Sequence, residues 1–126
     1  MDLDSIRKKV DKIVDKQGLP IDSNIKELVI GLMAHGINTT GSCEGHKNWG
    51  QPYPWVDVPY KHARKIAQLI ARQNRPISDN GKKNKNNWVI RPSCELRIIP
   101  QNQQLPLGTM QKYAKEFGLF LQRILD

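Results

Sequence analysis

Several things are scarce in these 126 residues. Two cysteines are too few for a disulfide framework. No apolar run approaches the roughly 20 residues that a membrane-spanning helix needs. The first twenty residues are charged throughout and hold no secretory apolar region, so the expected setting is the cytoplasm, with both thiols reduced and no membrane partner. No internal repeat is visible, and the length leaves no room for two ordinary domains. One soluble domain over 1–126 is the expectation.

Carboxylates are scarce as well, but only in the middle of the chain. Residues 1–36 hold six Lys/Arg against six Asp/Glu. Residues 61–97 hold ten basic residues (Lys61, Arg64, Lys65, Arg72, Arg75, Lys82, Lys83, Lys85, Arg91 and Arg97) against Asp79 and Glu95. That stretch alone supplies the net charge of +8, and everything else sums to zero. An excess concentrated in this way points to a polyanionic partner, RNA or a phosphorylated ligand. A merely solubilising surface is the plainer alternative.

The hydrophobic pattern sets out the elements. Leu3, Ile6, Val10, Ile13 and Val14 form a stripe at helical period that starts near Asp2 or Asp4 and is stopped by Gly18. This first helix is expected at the periphery. After the Gly18-Leu19-Pro20 break, Asp22 is the expected N-cap of a second helix, buried through Ile25, Leu28, Val29, Leu32 and Met33 and ended by Gly36. Ile37–Cys43 reads as a short strand entering a turn over 41–50. Trp55–Val58, between Pro54 and Pro59, reads as a strand at a sheet edge, because proline cannot donate to a ladder.

Tyr60–Gln73 reads as an amphipathic helix. Ala63, Ile66, Ala67 and Ile70 centre its inner face, while Lys61, Arg64, Lys65, Gln68 and Arg72 centre an outer face that can reach phosphates. Residues 74–87 have almost no apolar content and read as a mobile basic loop carrying Lys82, Lys83 and Lys85. Strands over Trp88–Arg91 and Cys94–Ile99 follow about the Pro92-Ser93 pair, with Cys94, Leu96 and Ile98 on one face. The last helix, capped by Thr109, buries Met110, Tyr113, Phe117, Phe120, Leu121 and Ile124. The order ααββαββα describes an α+β domain with a small mixed or antiparallel sheet packed by helices.

The stretch richest in chemistry is Thr39-Thr40-Gly41-Ser42-Cys43-Glu44-Gly45-His46. It sets hydroxyls, a thiol, a carboxylate and an imidazole on a turn after a strand, where a rigid element aims them. Trp49, Tyr53 and Trp55 follow, and aromatics beside a polar turn can stack on a base. Three chemistries compete there. Cys43 and His46 have the gap of half a zinc site, but a structural zinc takes four ligands. Only Cys94, His35 and His62 remain as Cys or His candidates and no second pair exists, so no metal is expected. A Cys43 nucleophile activated by His46 lacks a visible third orienting group. The favoured chemistry is a ligand-binding turn, in which the Ser42, Glu44 and Gly45 N–H groups hold a polar substrate and Glu44 or His46 moves a proton. Cys43 also has a packing explanation, being in phase with Ile37. His35, before a helix-ending glycine, is read as structural.

Two motifs carry a family resemblance. The 39–46 turn resembles the threonine-serine-serine-cysteine-x-glycine-arginine signature of the wybutosine-synthesis methyltransferases that act on transfer RNA. Arg91-Pro92-Ser93-Cys94-Glu95-Leu96-Arg97-Ile98-Ile99-Pro100 resembles a later strand of that family. The turn is also similar to small proteins with a T-x-x-S-C-x-G-H core. The resemblance implies an α+β domain that binds S-adenosylmethionine and methylates a modified guanosine. It would line the cofactor site with Ser42, Cys43, Gly45, Arg91 and Ser93; Glu44 and His46, read from the turn itself, are the expected catalytic groups. Lys61, Arg64, Lys65, Arg72, Lys82, Lys83, Lys85, Trp49 and Trp55 would then face RNA. The alternative is a non-catalytic binder of nucleic acid or a phosphorylated ligand, using the same basic and aromatic residues.

Overall fold

A computed structural model describes residues 2–14, 18–74 and 86–125. Its elements run α1 (Leu3–Asp11), α2 (Ser23–Ala34), β1 (Gly41–Cys43), β2 (Trp55–Val58), a 3₁₀ turn (Tyr60–His62), α3 (Ala63–Gln73), β3 (Trp88–Pro92), β4 (Leu96–Pro100) and α4 (Leu107–Arg123). The order is the ααββαββα of an α+β domain, and the sheet is antiparallel throughout.

Helix α2 is the centre of the packing. Besides Ile25, Leu28, Val29 and Leu32, it buries Ile30 and Gly31, so its apolar surface is wider than one amphipathic stripe and is covered from several sides. Helix α4 crosses it at two glycines. A Cβ on Gly118 would lie 2.3 Å from the Glu27 carbonyl carbon, and one on Gly31 would lie 2.7 Å from the Gly118 oxygen. Only Cα atoms that carry no Cβ allow this approach.

Helix α1 belongs to the core rather than the periphery. Asp2 caps it by accepting the Ser5 N–H at 2.7 Å, Ile6 and Val10 are fully buried, and Arg7 forks onto Glu27 of α2 with both contacts at 2.8 Å. It also ends earlier than its stripe implies. The chain turns back after Asp11 to form an antiparallel bridge between Val14 and Pro20, which a continuing helix would forbid, and Ile13 and Val14 are left exposed.

The strand order is β1-β2-β4-β3, which makes β2 an interior strand and not an edge. Its prolines stand at 54 and 59, just outside the paired residues, so no ladder donor is lost. Strand β1 is confined to Gly41–Cys43. One sheet face, with Val56, Val58, Leu96, Ile98 and Trp88, closes on the helices as the main core. The other face carries a smaller cluster of Tyr53, Ile99 and Met110, which explains why Ile99 is buried although it alternates out of phase with Leu96 and Ile98. Cys94 lies in the exposed β3–β4 turn, and both cysteines are free.

Helix α3 buries Ile66, Leu69 and Ile70 and leaves Ala67 exposed. Leu69 and Ile70 sit three and four residues after Ile66, the proper one-face spacing. Its end is fastened by Asn74, whose side chain donates to the Trp88 carbonyl and accepts the Trp88 N–H, both at 2.7 Å. The basic loop assigned to 74–87, with Lys82, Lys83 and Lys85, lies for residues 75–85 outside the described residues. In α4 the cap comes from Pro106, whose carbonyl accepts the N–H groups of Thr109 and Met110, so Thr109 sits inside the first turn. Phe117, Leu121 and Met110 are buried there, with Ala114 and Gly118, while Tyr113, Phe120 and Ile124 are half-buried.

Candidate functional site

Two groups of the residues singled out in the sequence lie at opposite ends of α2. The N-terminal end of that helix meets the 39–46 turn, and the C-terminal end meets α3. Twelve helical residues separate the two ends, a rise of about 18 Å.

At the N-terminal end two carboxylates exchange roles. Asp22 occupies the N-cap position of α2 but makes no cap bond to its own helix; its Oδ2 accepts the Glu44 N–H at 3.2 Å. Glu44 in return reaches the open end of α2, its Oε1 accepting the Asn24 N–H at 3.3 Å, where a negative charge is favoured by the helix dipole. The Glu44 carbonyl accepts the Gln111 side-chain N–H at 3.0 Å, which ties the turn to α4 as well.

Gly45 is the pivot of the turn. It is buried with φ +91°, and a Cβ there would lie 2.7 Å from Leu107 Cδ1 and 2.8 Å from the Tyr53 carbonyl carbon. A residue with a side chain would meet both a strained backbone and a filled space. The His46 N–H donates to the Gln51 carbonyl at 2.9 Å and closes the loop that follows. The His46 imidazole stacks on Trp49 with ring centres 3.7 Å apart and planes 16° from parallel.

The result is a cluster of Asp22, Cys43 and His46 whose donor atoms all lie within 4.8 Å of one another, each residue half-buried. Burial pushes the Cys43 thiol up from its ordinary value, and the neighbouring Asp22 and Glu44 carboxylates push it further, against the Gly45 N–H that donates to Sγ. At neutral pH Cys43 is a thiol and a poor nucleophile, and the covalent chemistry weighed for it gains no support. Beside the cluster lies a cavity of about 310 Å³, lined among others by Leu19, Pro20, Asp22, Thr40, Ser42 and Trp55.

Arg91 and Ser93 stand away from this turn. β1 and β3 are the opposite edges of the sheet, with β2 and β4 between them. Arg91 is exposed and donates to the Tyr53 hydroxyl at 3.2 Å. Ser93 is exposed in the β3–β4 turn, its carbonyl accepting the Tyr60 hydroxyl. The aromatic residues are also divided. Trp55 lies under the Arg97 guanidinium, 3.9 Å from ring centre to Cζ, and that guanidinium forks onto Asp57 at 2.8 and 3.0 Å. Tyr53 is buried, and Trp49 alone of the three is largely exposed, at 68%.

At the C-terminal end of α2 the surface is of a different kind. Lys61, Arg64, Lys65 and Arg72 are all exposed. Lys65 donates to the His35 carbonyl at the helix end, while Lys61, Arg64 and Arg72 form no ion pair with any described carboxylate. The His35 ring bonds the Leu121 carbonyl at 2.8 Å, the structural role expected of it.

The cluster member that sequence reasoning missed is Asp22, whose N-cap position disguised it. Its only signal was Glu44, a second carboxylate able to cap the same helix. Comparison of the chain with protein-family models, with curated proteins and with solved structures found no match.

Proposed function

We propose that this protein is an RNA-binding module whose affinity comes from the outer face of α3. The observation that carries this reading is the row of exposed cations Lys61, Arg64 and Arg72, which no described carboxylate neutralises. Cations left unpaired on a rigid helix are free to displace the counterions of a phosphate backbone. Lys65 and the C-terminal end of α2 hold that helix in place. The basic loop beyond Asn74 would add charge on the same chain segment.

Methyl transfer from S-adenosylmethionine, which the wybutosine resemblance implies, draws less support. It requires Ser42, Cys43 and Gly45 to share one cofactor with Arg91 and Ser93, and the first group lies on or just after β1 while the second lies on or just after β3, the opposite edge strand of the sheet. Glu44, proposed there as a proton carrier, is engaged in capping α2.

The test is a titration of a short single-stranded RNA at several salt concentrations, with the wild type and a Lys61→Ala/Arg64→Ala/Arg72→Ala variant. Each lost phosphate contact lowers the slope of log K against log salt by about 0.7, so the triple variant is expected to lose roughly 2 from that slope. Unchanged affinity and slope would remove α3 from the interface and leave the proposal without its observation.

A further inference from the structure

We infer that Asp22, Cys43 and His46 form a binding site for a divalent cation of the zinc class, with one coordination position left open. This site lies at the other end of α2 from the basic face and does not depend on the RNA reading.

The donor set is the first argument. A carboxylate, a thiol and an imidazole, one ligand atom each, lie within 4.8 Å of one another. Zinc bonds of about 2.0–2.3 Å in a tetrahedral arrangement place their donors roughly 3.5 Å apart, so donor movements of about 1 Å close the site. Sulfur and nitrogen together favour zinc over magnesium or calcium, which prefer oxygen alone.

Electrostatics supply the second. The Asp22 carboxylate and the Cys43 sulfur lie together in one half-buried cluster, and the Glu44 N–H donates to that same Asp22 carboxylate. A dication there is offset by the carboxylate charge and by the thiolate that it binds.

The third is bracing. Glu44 caps α2 in place of Asp22, and its backbone N–H orients the Asp22 carboxylate from Oδ2. Gly45 is wedged between Tyr53 and Leu107 and fixes the step from Cys43 to His46. Trp49 fixes the plane of the imidazole. Ligands held by such outer contacts are what a metal site needs in order to form with little reorganisation. Three protein ligands leave a fourth tetrahedral position for water or an anionic ligand. Asp22 also lines the 310 Å³ cavity, which gives such a ligand its approach.

Co²⁺ and Zn²⁺ are the probes. Titrating Co²⁺ into the whole protein is expected to give a thiolate-to-cobalt charge-transfer band and the intense visible bands of four-coordinate cobalt, saturating at one equivalent and bleached by Zn²⁺. Cys94→Ser should behave as the wild type. Cys43→Ser should lose the charge-transfer band and bind more than about 100-fold more weakly. Asp22→Asn keeps an oxygen for the Glu44 N–H and so keeps the turn, while binding at least about tenfold more weakly. Amide spectra establish that each variant is folded. Absence of four-coordinate bands in the folded wild type, or a signal that follows Cys94 instead of Cys43, overturns the site. So does Asp22→Asn binding Co²⁺ as tightly as the wild type.

Discussion

The two ends of α2 hold similar numbers of polar residues and use them in opposite ways. At the N-terminal end the carboxylates and the imidazole are held by partners: Asp22 by Glu44, Glu44 by Asn24 and Gln111, His46 by Gln51 and Trp49. At the C-terminal end Lys61, Arg64 and Arg72 project from α3 and the 3₁₀ turn that leads into it, with no described ionic partner. Bound groups fix geometry, which coordination chemistry needs. Unbound cations keep their charge for a partner, which counterion release needs. Substitutions at the first end should therefore be read in stability, and those at the second in affinity alone.

The largest effect expected from that contrast is at Gly45. Alanine there faces both the left-handed backbone at φ +91° and the contacts with Leu107 and Tyr53. Gly45→Ala is expected to cost about 3 kcal/mol, or roughly 10 °C in Tm for a domain of this size. Arg64→Ala should stay within about 0.5 kcal/mol of wild type. Urea unfolding of the two variants decides the matter, and a Gly45→Ala loss below about 1 kcal/mol would mean that the turn is not rigidly held.

A smaller effect separates cations that are bound from cations that are not. Arg97 forks onto Asp57 and covers Trp55, two geometries that a lysine cannot reproduce. Arg97→Lys keeps the charge yet should lose about 1.5 kcal/mol, since it gives up both the fork and the ring contact. Arg64→Lys should be neutral. Equal denaturation midpoints for the two variants would erase the distinction between paired and free cations.

Much of the fold was legible because it depends on local pattern. Helical and alternating periods located the four helices and four strands in order, and Trp88–Pro92 and Leu96–Pro100 fall close to their expected places. What the sequence hid depends on distant partners. The interior position of β2 follows from β4 pairing with it forty residues later, and the flanking prolines by themselves suggested an edge. The glycines that let α2 and α4 touch give no periodic signal. At the candidate site, Cys43, Glu44 and His46 stood out by their rarity on one turn. Asp22 did not, because an aspartate before a helix has a common local explanation, and only the fold shows that Glu44 had taken over that task.

The smallest effect concerns pH. Arg7, hydrogen-bonded and close in charge, holds the Glu27 carboxyl below the ordinary carboxylate range, with help from Gln122 and against a burial cost. A carboxyl whose pKa is lower in the folded than in the unfolded chain stabilises the fold above its unfolded value and loses that contribution as pH falls through its folded value. The Arg7 side chain is 40% exposed, so solvent screening keeps the pair near the surface range, about 1 kcal/mol. Glu27→Gln should therefore be less stable than wild type by about that amount at pH 7, and the two curves should converge in acid once Glu27 is protonated. Arg64→Ala should run parallel to wild type at every pH, because its charge has no described carboxylate to lose. Unfolding midpoints from pH 7 down to the acid limit test both statements. A constant gap for Glu27→Gln would assign its cost to packing against α1 and α4, and the ion pair would no longer mark the bound half of the molecule.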